Sequence, residues 1–384
     1  MRPQIEASGE PNGAASDAHR SALVPLSIAG LAKTWNSESR LYDRQLRKRK
    51  LDRTFGTENL TGSCICLIGV DRFQAVSQSL PADPRQTLDS AITLHRKRHY
   101  VGGFGLLVWA NAVTGGVELA DLERLADNSL DNMRNVVGMT TMETAWLLSG
   151  VLHELNQNWA DRPERLARLV LRELHERFVP HAGMMMHAGA DGRIKDRARR
   201  NIANFADQIY SLQAFAFAAI VLGSEAALKT AIHLAETIVA RQGPLGQWWW
   251  HYNATRGTIA ERYPVFSVHQ HAMAPMALLT LQRAGGPNHR NAISRSYSWL
   301  NNNELGIDMV DPEAETIWRD IERDESSAVS LLRKAQHLLS PKHLPENDNS
   351  PSLKVNFETR PYEWAWCLYA AAIADSANKG RHLA

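Results

Sequence analysis

Several side chains with catalytic potential stand at the starts of long apolar runs in this 384-residue chain. Glu143 opens one run, Asp207 with Tyr210 a second, Tyr263 with His269, Gln270 and His271 a third, and Arg360, Tyr362 and Glu363 a fourth. Carboxylates such as Glu143, Asp207 and Glu363 suit glycosidic hydrolysis, which uses an acid and a base or nucleophile on opposite sides of the bond. Glu143 lies beside Trp146 and Leu147. Burial there would raise its pKa and make it a general acid, although a buried carboxylate paired to an arginine would look the same. Asp207 has a structural role open to it as well, because an acidic residue in a first helical turn stabilises the helix by about 0.5–2 kcal/mol. Tyr263 and His269 could serve as acid and base in β-elimination from a uronate, with Arg319 or Arg360 neutralising the carboxylate. His269-Gln-His271 on a helix would point its two rings about 200° apart, so the pair does not make a metal site, and no metal or cofactor is expected. Trp248-Trp249-Trp250-His-Tyr252 offers aromatic faces for sugar rings. Three consecutive tryptophans cannot all face inward, so at least one is expected to face a ligand or solvent. The catalytic candidates are thus Glu143, Asp207, Tyr263 and His269. Substrate contacts are expected from Tyr210, Trp249, Trp250, Tyr252, Gln270, His271, Arg319, Arg360, Tyr362 and Glu363.

These residues must be positioned by helices, because no convincing alternating strand is visible. Pro163–Phe178 places Leu166, Leu169, Val170, Leu174 and Phe178 on one stripe with Arg and Glu opposite, and Leu228–Ala240 repeats that pattern. A second class is apolar all round: Gln208–Leu222, Ala272–Leu281 and Trp364–Ile373, with Thr140–Leu152, Val101–Ala110 and Thr61–Gly69 of the same kind. A helix apolar on every face has to be buried on every face. One-sided and all-round helices alternate, and the fully buried class recurs roughly every 40–65 residues. The alternation predicts an all-α fold, an (α/α) toroid of about six helical hairpins with an inner and an outer ring. The polar inner-helix starts would then converge at one mouth, where exposed N–H groups favour anions such as uronate carboxylates. An open superhelix of helix pairs satisfies the same stacking. Residues 1–24, rich in Gly, Ser, Ala and Pro, are expected to be a disordered tail, and 25–384 one domain. Ser340–Pro351 is expected to be a polar loop.

One segment carries a family likeness. Gln242-Gly-Pro-Leu-Gly246-Gln-Trp248 matches the Gln-x-x-x-Gly-x-Trp pattern of squalene-hopene cyclases, which are α/α toroids. The continuation through Trp248–Tyr263 into Val268-His-Gln-His-Ala-Met-Ala-Pro275 is similar to the outer-to-inner turn of six-hairpin carbohydrate enzymes: glycosidases, uronate lyases and sugar epimerases. The whole chain also resembles a group of bacterial toroid proteins associated with polysaccharide gene neighbourhoods. The likeness implies a carbohydrate-active enzyme acting on an oligosaccharide, uronate-containing or neutral, by hydrolysis or β-elimination. A terpene-cyclase-like isoprenoid-binding protein is the first alternative, although the acid motifs of those cyclases are missing from the sequence. A non-catalytic scaffold in a biosynthetic complex is the second.

Composition narrows the partners. Lys plus Arg (43) nearly balances Asp plus Glu (41), giving a net charge of +2. The basic runs Arg44–Arg53 and His95–Tyr100 therefore read as solvated faces rather than nucleic-acid contacts. No run reaches the roughly 20 apolar residues needed to span a bilayer, and the first residues lack a secretory hydrophobic segment. Cys64, Cys66 and Cys367 are an odd set with no zinc spacing. They are expected to be reduced thiols of a cytoplasmic protein.

Overall fold

The computed structural model describes residues 13–47, 59–73, 79–132, 138–326, 329 and 352–378. Ser340–Pro351 lies outside them, as do residues 1–12 of the expected tail. Six helices that are buried nearly all round pack side by side in a closed ring: α2 (Leu60–Arg72), α4 (Val101–Val113), α6 (Thr141–Gln157), α9 (Phe205–Leu222), α11 (Ala274–Arg283, entered through a π-helical turn, His269–Met273) and α13 (Pro361–Asn378). Each touches the next, and α13 packs back on α2. Outside them stand α1 (Gly13–Thr34), α3 (Pro84–Arg98), α5 (Leu119–Ala126), α7 (Asp161–His175), α10 (Glu225–Ala240) and α12 (Arg290–Ser298), with a short α8 (Ile194–Ala198) in a connecting loop. This is the all-α toroid of six hairpins expected from the alternation of helix types.

The two classes behave as their residues dictate. In α7 the stripe Leu166, Val170 and Leu174 is buried while Arg165, Arg168 and Arg172 face outward. In α9 every residue from Phe205 to Ala218 is buried, so this helix, long and apolar enough to span a membrane, is instead the lining of a protein core. The ring axis is filled by aromatic contacts. Trp109 meets Trp366 at 5.7 Å, and Tyr210 receives a 2.8 Å hydrogen bond from Trp366 Nε1. Gly105 and Gly150 bring α4 and α6 together, since a Cβ on either would collide with the facing backbone.

Two expectations need correction. The tail is shorter than residue 24, because α1 begins at Gly13 and packs along α13 and α12, with Leu23 buried. The expectation that no strand positions the site also fails, because Thr316–Ile317 and Asp320–Arg323 are extended. Asp320–Arg323 forms the middle strand of a three-stranded sheet between Leu353–Asn356 and Val265–Phe266. A second such sheet joins Ile202–Asn204, His251–Asn253 and Thr258–Glu261. Strands of two to four residues are too short for alternation to register as a sequence signal.

Candidate active site at the amino-terminal mouth

All six inner helices begin at the same end of the ring, so their first turns and the short sheets between them build one mouth. Two carboxylates there are consumed by helix starts. Glu143 is the third residue of α6 and forms a capping box with Thr140; its Oε2 accepts from the Thr140 N–H at 2.8 Å and from Arg193 Nη2 at 3.0 Å, and Oε1 accepts from the Tyr100 hydroxyl at 2.8 Å. Asp207 forms the matching box with Asn204 at the start of α9. Its Oδ1 accepts from the Met142 N–H of α6 at 3.1 Å, and Oδ2 accepts from the Asn204 N–H at 3.0 Å and from His187 Nδ1 at 2.8 Å. The capping alternative weighed for Asp207 and the arginine pairing weighed for Glu143 are thus what the fold uses. Neither is a free acid.

The tryptophan strip separates by depth. Tyr252 is fully buried against Phe205 at 6.5 Å, which removes it from the stacking platform. Trp249 is also buried; its Nε1 donates to the Arg241 carbonyl, and Tyr263 meets its ring edge-on at 6.3 Å. Burial and Glu304 push the Tyr263 phenol well above its ordinary range, which keeps it protonated. The Gln-x-x-x-Gly-x-Trp residues brace this corner: Gln242 Nε2 donates to the carbonyls of Gly246 and Ala292. Trp250 alone of the three tryptophans is half-buried, and it lies parallel to His269 at 5.6 Å and 15°.

Around that pair the groups converge. Phe266 touches Trp250 at 4.8 Å and His269 at 5.2 Å, and the Arg319 guanidinium sits 5.0 Å over the Phe266 ring. Burial, reinforced by Arg319, holds His269 well below the usual imidazole range, which keeps the ring neutral; its Nδ1 has no well-formed hydrogen bond. Arg319 pairs with Glu358 at 3.1 Å, Asp320 at 3.2 Å and Glu363 at 3.5 Å, and Arg360 Nε reaches Glu358 at 2.6 Å. Burial pushes Glu363 up to about 7 despite Arg319 and Arg360, so it can carry a proton at neutral pH. Tyr362, half-buried, adds to the electrostatic cluster around Arg319.

The other candidates are internal. Gln270 braces the turn by accepting from the Trp248 N–H and donating to the Phe266 carbonyl. His271 is buried, and burial pushes it down to about 3. Tyr210 faces the ring core rather than the mouth. The groups that sequence reasoning missed, Tyr100, His187, Arg193 and Glu358, stand outside the apolar runs and are recruited by loops.

No protein-family model matches the chain, and no curated protein matches it. Solved structures do resemble it. A sugar epimerase from a ruminal bacterium aligns at a TM-score of 0.61 and 10% identity, covering 96% of this chain and 100% of its own. An unsaturated glucuronyl hydrolase specific for heparin gives 0.59 at 10% identity, covering 96% and 99%. The unsaturated glucuronyl hydrolase of Bacillus sp. GL1, responsible for the degradation of glycosaminoglycan, gives 0.57 at 13%, covering 94% and 97%. These are six-hairpin toroids, and the likeness over nearly whole chains establishes the fold.

Proposed function

We propose that the chain is a carbohydrate-active enzyme that takes a uronate-containing oligosaccharide at the amino-terminal mouth and acts on it by β-elimination. The observation that carries this reading is the contiguous set Trp250, His269 and Arg319. Trp250 offers a face for a sugar ring. Arg319 would hold the carboxylate and stabilise the charge that spreads onto it when the neighbouring carbon loses its proton. Neutral His269 would take that proton, and Glu363, protonated near neutrality, would give one to the departing oxygen. A substrate carboxylate would offset part of Arg319 and raise the basicity of His269, coupling proton abstraction to correct binding.

Hydrolysis is the second reading. It is favoured by the resemblance to two glucuronyl hydrolases and by Glu363, which can carry a proton at neutral pH, and weakened by the commitment of Glu143 and Asp207 to helix starts. An isoprenoid cyclase loses support because the Gln242 motif braces an outer corner, and a scaffold would not need a neutral histidine beside an arginine cluster. Cytoplasmic residence belongs to the proposal, supported by three buried free thiols, Cys64, Cys66 and Cys367.

One assay separates these readings. Elimination creates a double bond conjugated to the uronate carboxylate, so ultraviolet absorbance rises as uronic oligosaccharides are consumed. Hydrolysis of an unsaturated uronyl end makes that absorbance fall. Growth of reducing ends without an absorbance change marks ordinary hydrolysis. Inertness towards both saturated and unsaturated uronic substrates, with the protein folded, would sink the enzyme reading.

A further inference from the structure

The opposite end of the ring holds a second site. There the C-terminal turns of α2, α4, α6 and α9, with the middle of α13, line a cavity of about 200 Å³. An apolar cavity of roughly 150 Å³ is enough for benzene, so this one fits a body of a single ring. Its apolar walls include Leu152, Phe217 and Tyr369, and its polar edge includes Arg72, His153 and Asn156.

His153 has a fixed polarity. Its ring is wedged against Trp109 at 4.7 Å and Phe217 at 4.6 Å, and Nδ1 lies 2.8 Å from the Ser149 carbonyl. A carbonyl can only accept, so Nδ1 carries the proton and Nε2 is left as an acceptor. Burial pushes the imidazole down to about 4, which keeps that acceptor at neutral pH. The guanidinium of Arg72, the last residue of α2, makes no ion pair or hydrogen bond among the described residues. Arg283, the last residue of α11, has a buried Nη1 with no acceptor. Both guanidiniums act on the Tyr369 phenol and on each other, which places them in one neighbourhood. Asp71, the carboxylate of the cavity lining, stands beside Arg72 and feels its charge, and Arg283, outside the lining, leaves the neighbourhood with one cation in excess.

We propose that this cavity binds a small carboxylic acid with a single-ring body, its carboxylate on Arg72 with Arg283 behind, its ring between Phe217 and Tyr369, and a hydroxyl donating to His153 Nε2. The site is separate from the mouth and does not depend on the reaction proposed there.

Calorimetric titration of the full chain with 4-hydroxybenzoate, benzoate and 4-hydroxybenzyl alcohol tests it. The hydroxy acid should bind in the micromolar range, and losing either the hydroxyl or the carboxylate should weaken binding about tenfold. Arg72→Gln should weaken the hydroxy acid by at least about tenfold and leave the alcohol unchanged. Ile220→Trp, at a half-exposed position of the cavity wall, should abolish binding of all three and guards against misfolding of the arginine variant. Binding of the hydroxy acid weaker than about 1 mM, or an affinity unchanged in Arg72→Gln, overturns the proposal.

Discussion

At the scale of single residues, the mouth is governed by which polar groups are already spent. Trp250 touches His269 and Phe266 and keeps part of its ring accessible. Trp250→Ala should remove apolar contact of about 1–2 kcal/mol with a sugar face and raise KM roughly tenfold, with a smaller effect on kcat. Steady-state kinetics on the uronic substrate would show this, and an unchanged KM would remove Trp250 from the site. Glu363 makes a different prediction. Its ordinary carboxylate range lies near 4.5, and burial pushes it up to about 7 in the folded chain. Between those values the folded state binds a proton that the unfolded state has released. Stability should therefore be greatest below about pH 4.5, as far as this group is concerned, and fall as pH rises through 7. The full span is about 3 kcal/mol at most. Asp320 is pushed up to about 7 by burial as well and contributes with the same sign. Seven histidines held below their ordinary range by burial contribute with the opposite sign, so Glu363→Gln should remove a falling component and leave the slope seen in denaturant titrations between about pH 5 and 7 more positive than in the parent chain. A slope unchanged by the substitution would show that Glu363 is ionised in the native protein.

At the scale of elements, carboxylates placed at inner-helix starts tie one helix to another. Asp207 closes the capping box of α9, accepts from the Met142 N–H of α6 and holds His187. Asp207→Ala should leave three buried donors unmatched and cost about 3–5 kcal/mol, measured by chemical denaturation; Asp207→Asn should cost about 1–3 kcal/mol. A residue kept only for proton transfer would instead lose activity with stability intact. The same element explains what could be read from sequence. Periodicity separated buried from one-sided helices because burial on every face demands apolar residues on every face, and that was enough for two layers of helices, closed or open. It also located the polar helix starts from which Glu363 and His269 come. It could not say that Glu143 and Asp207 would be used up by caps, because Arg193 and His187 arrive from loops with no periodic signature. Nor could it separate Tyr252, fully buried, from Trp250, half-buried, since their depth is set by short cross-strand pairs such as Ala203 with Tyr252.

At the scale of the molecule, the alternation of helix types is satisfied equally by a closed ring and an open superhelix, and the two differ in how they fail. In an open array each helix pair contacts only its neighbours, so a terminal pair can be lost with a local cost. Here α13 is inserted between α11 and α2 and also receives α1, so the C-terminal helix closes the structure onto its N-terminal half. The seam is tight: a Cβ at Gly69 of α2 would collide with the Ala365 carbonyl of α13. Gly69→Ala must therefore push two inner helices apart, and should cost about 1–3 kcal/mol in a single cooperative transition. Removing α13 altogether, in a chain ending before Pro361, takes away fully buried Trp364, Trp366 and Leu368 and exposes the ring faces of α2 and α11. The apolar area lost is shared by both sides of the seam. The remaining helices should lose their cooperative thermal transition and bind a hydrophobic dye, with far-UV helicity partly retained. A truncated chain that melts as sharply as the full one, a few degrees lower, would mean that the hairpins stack as an open array. The mouth would then lose Tyr362 and Glu363 without losing its frame, and the case for a site assembled by ring closure would fail with it.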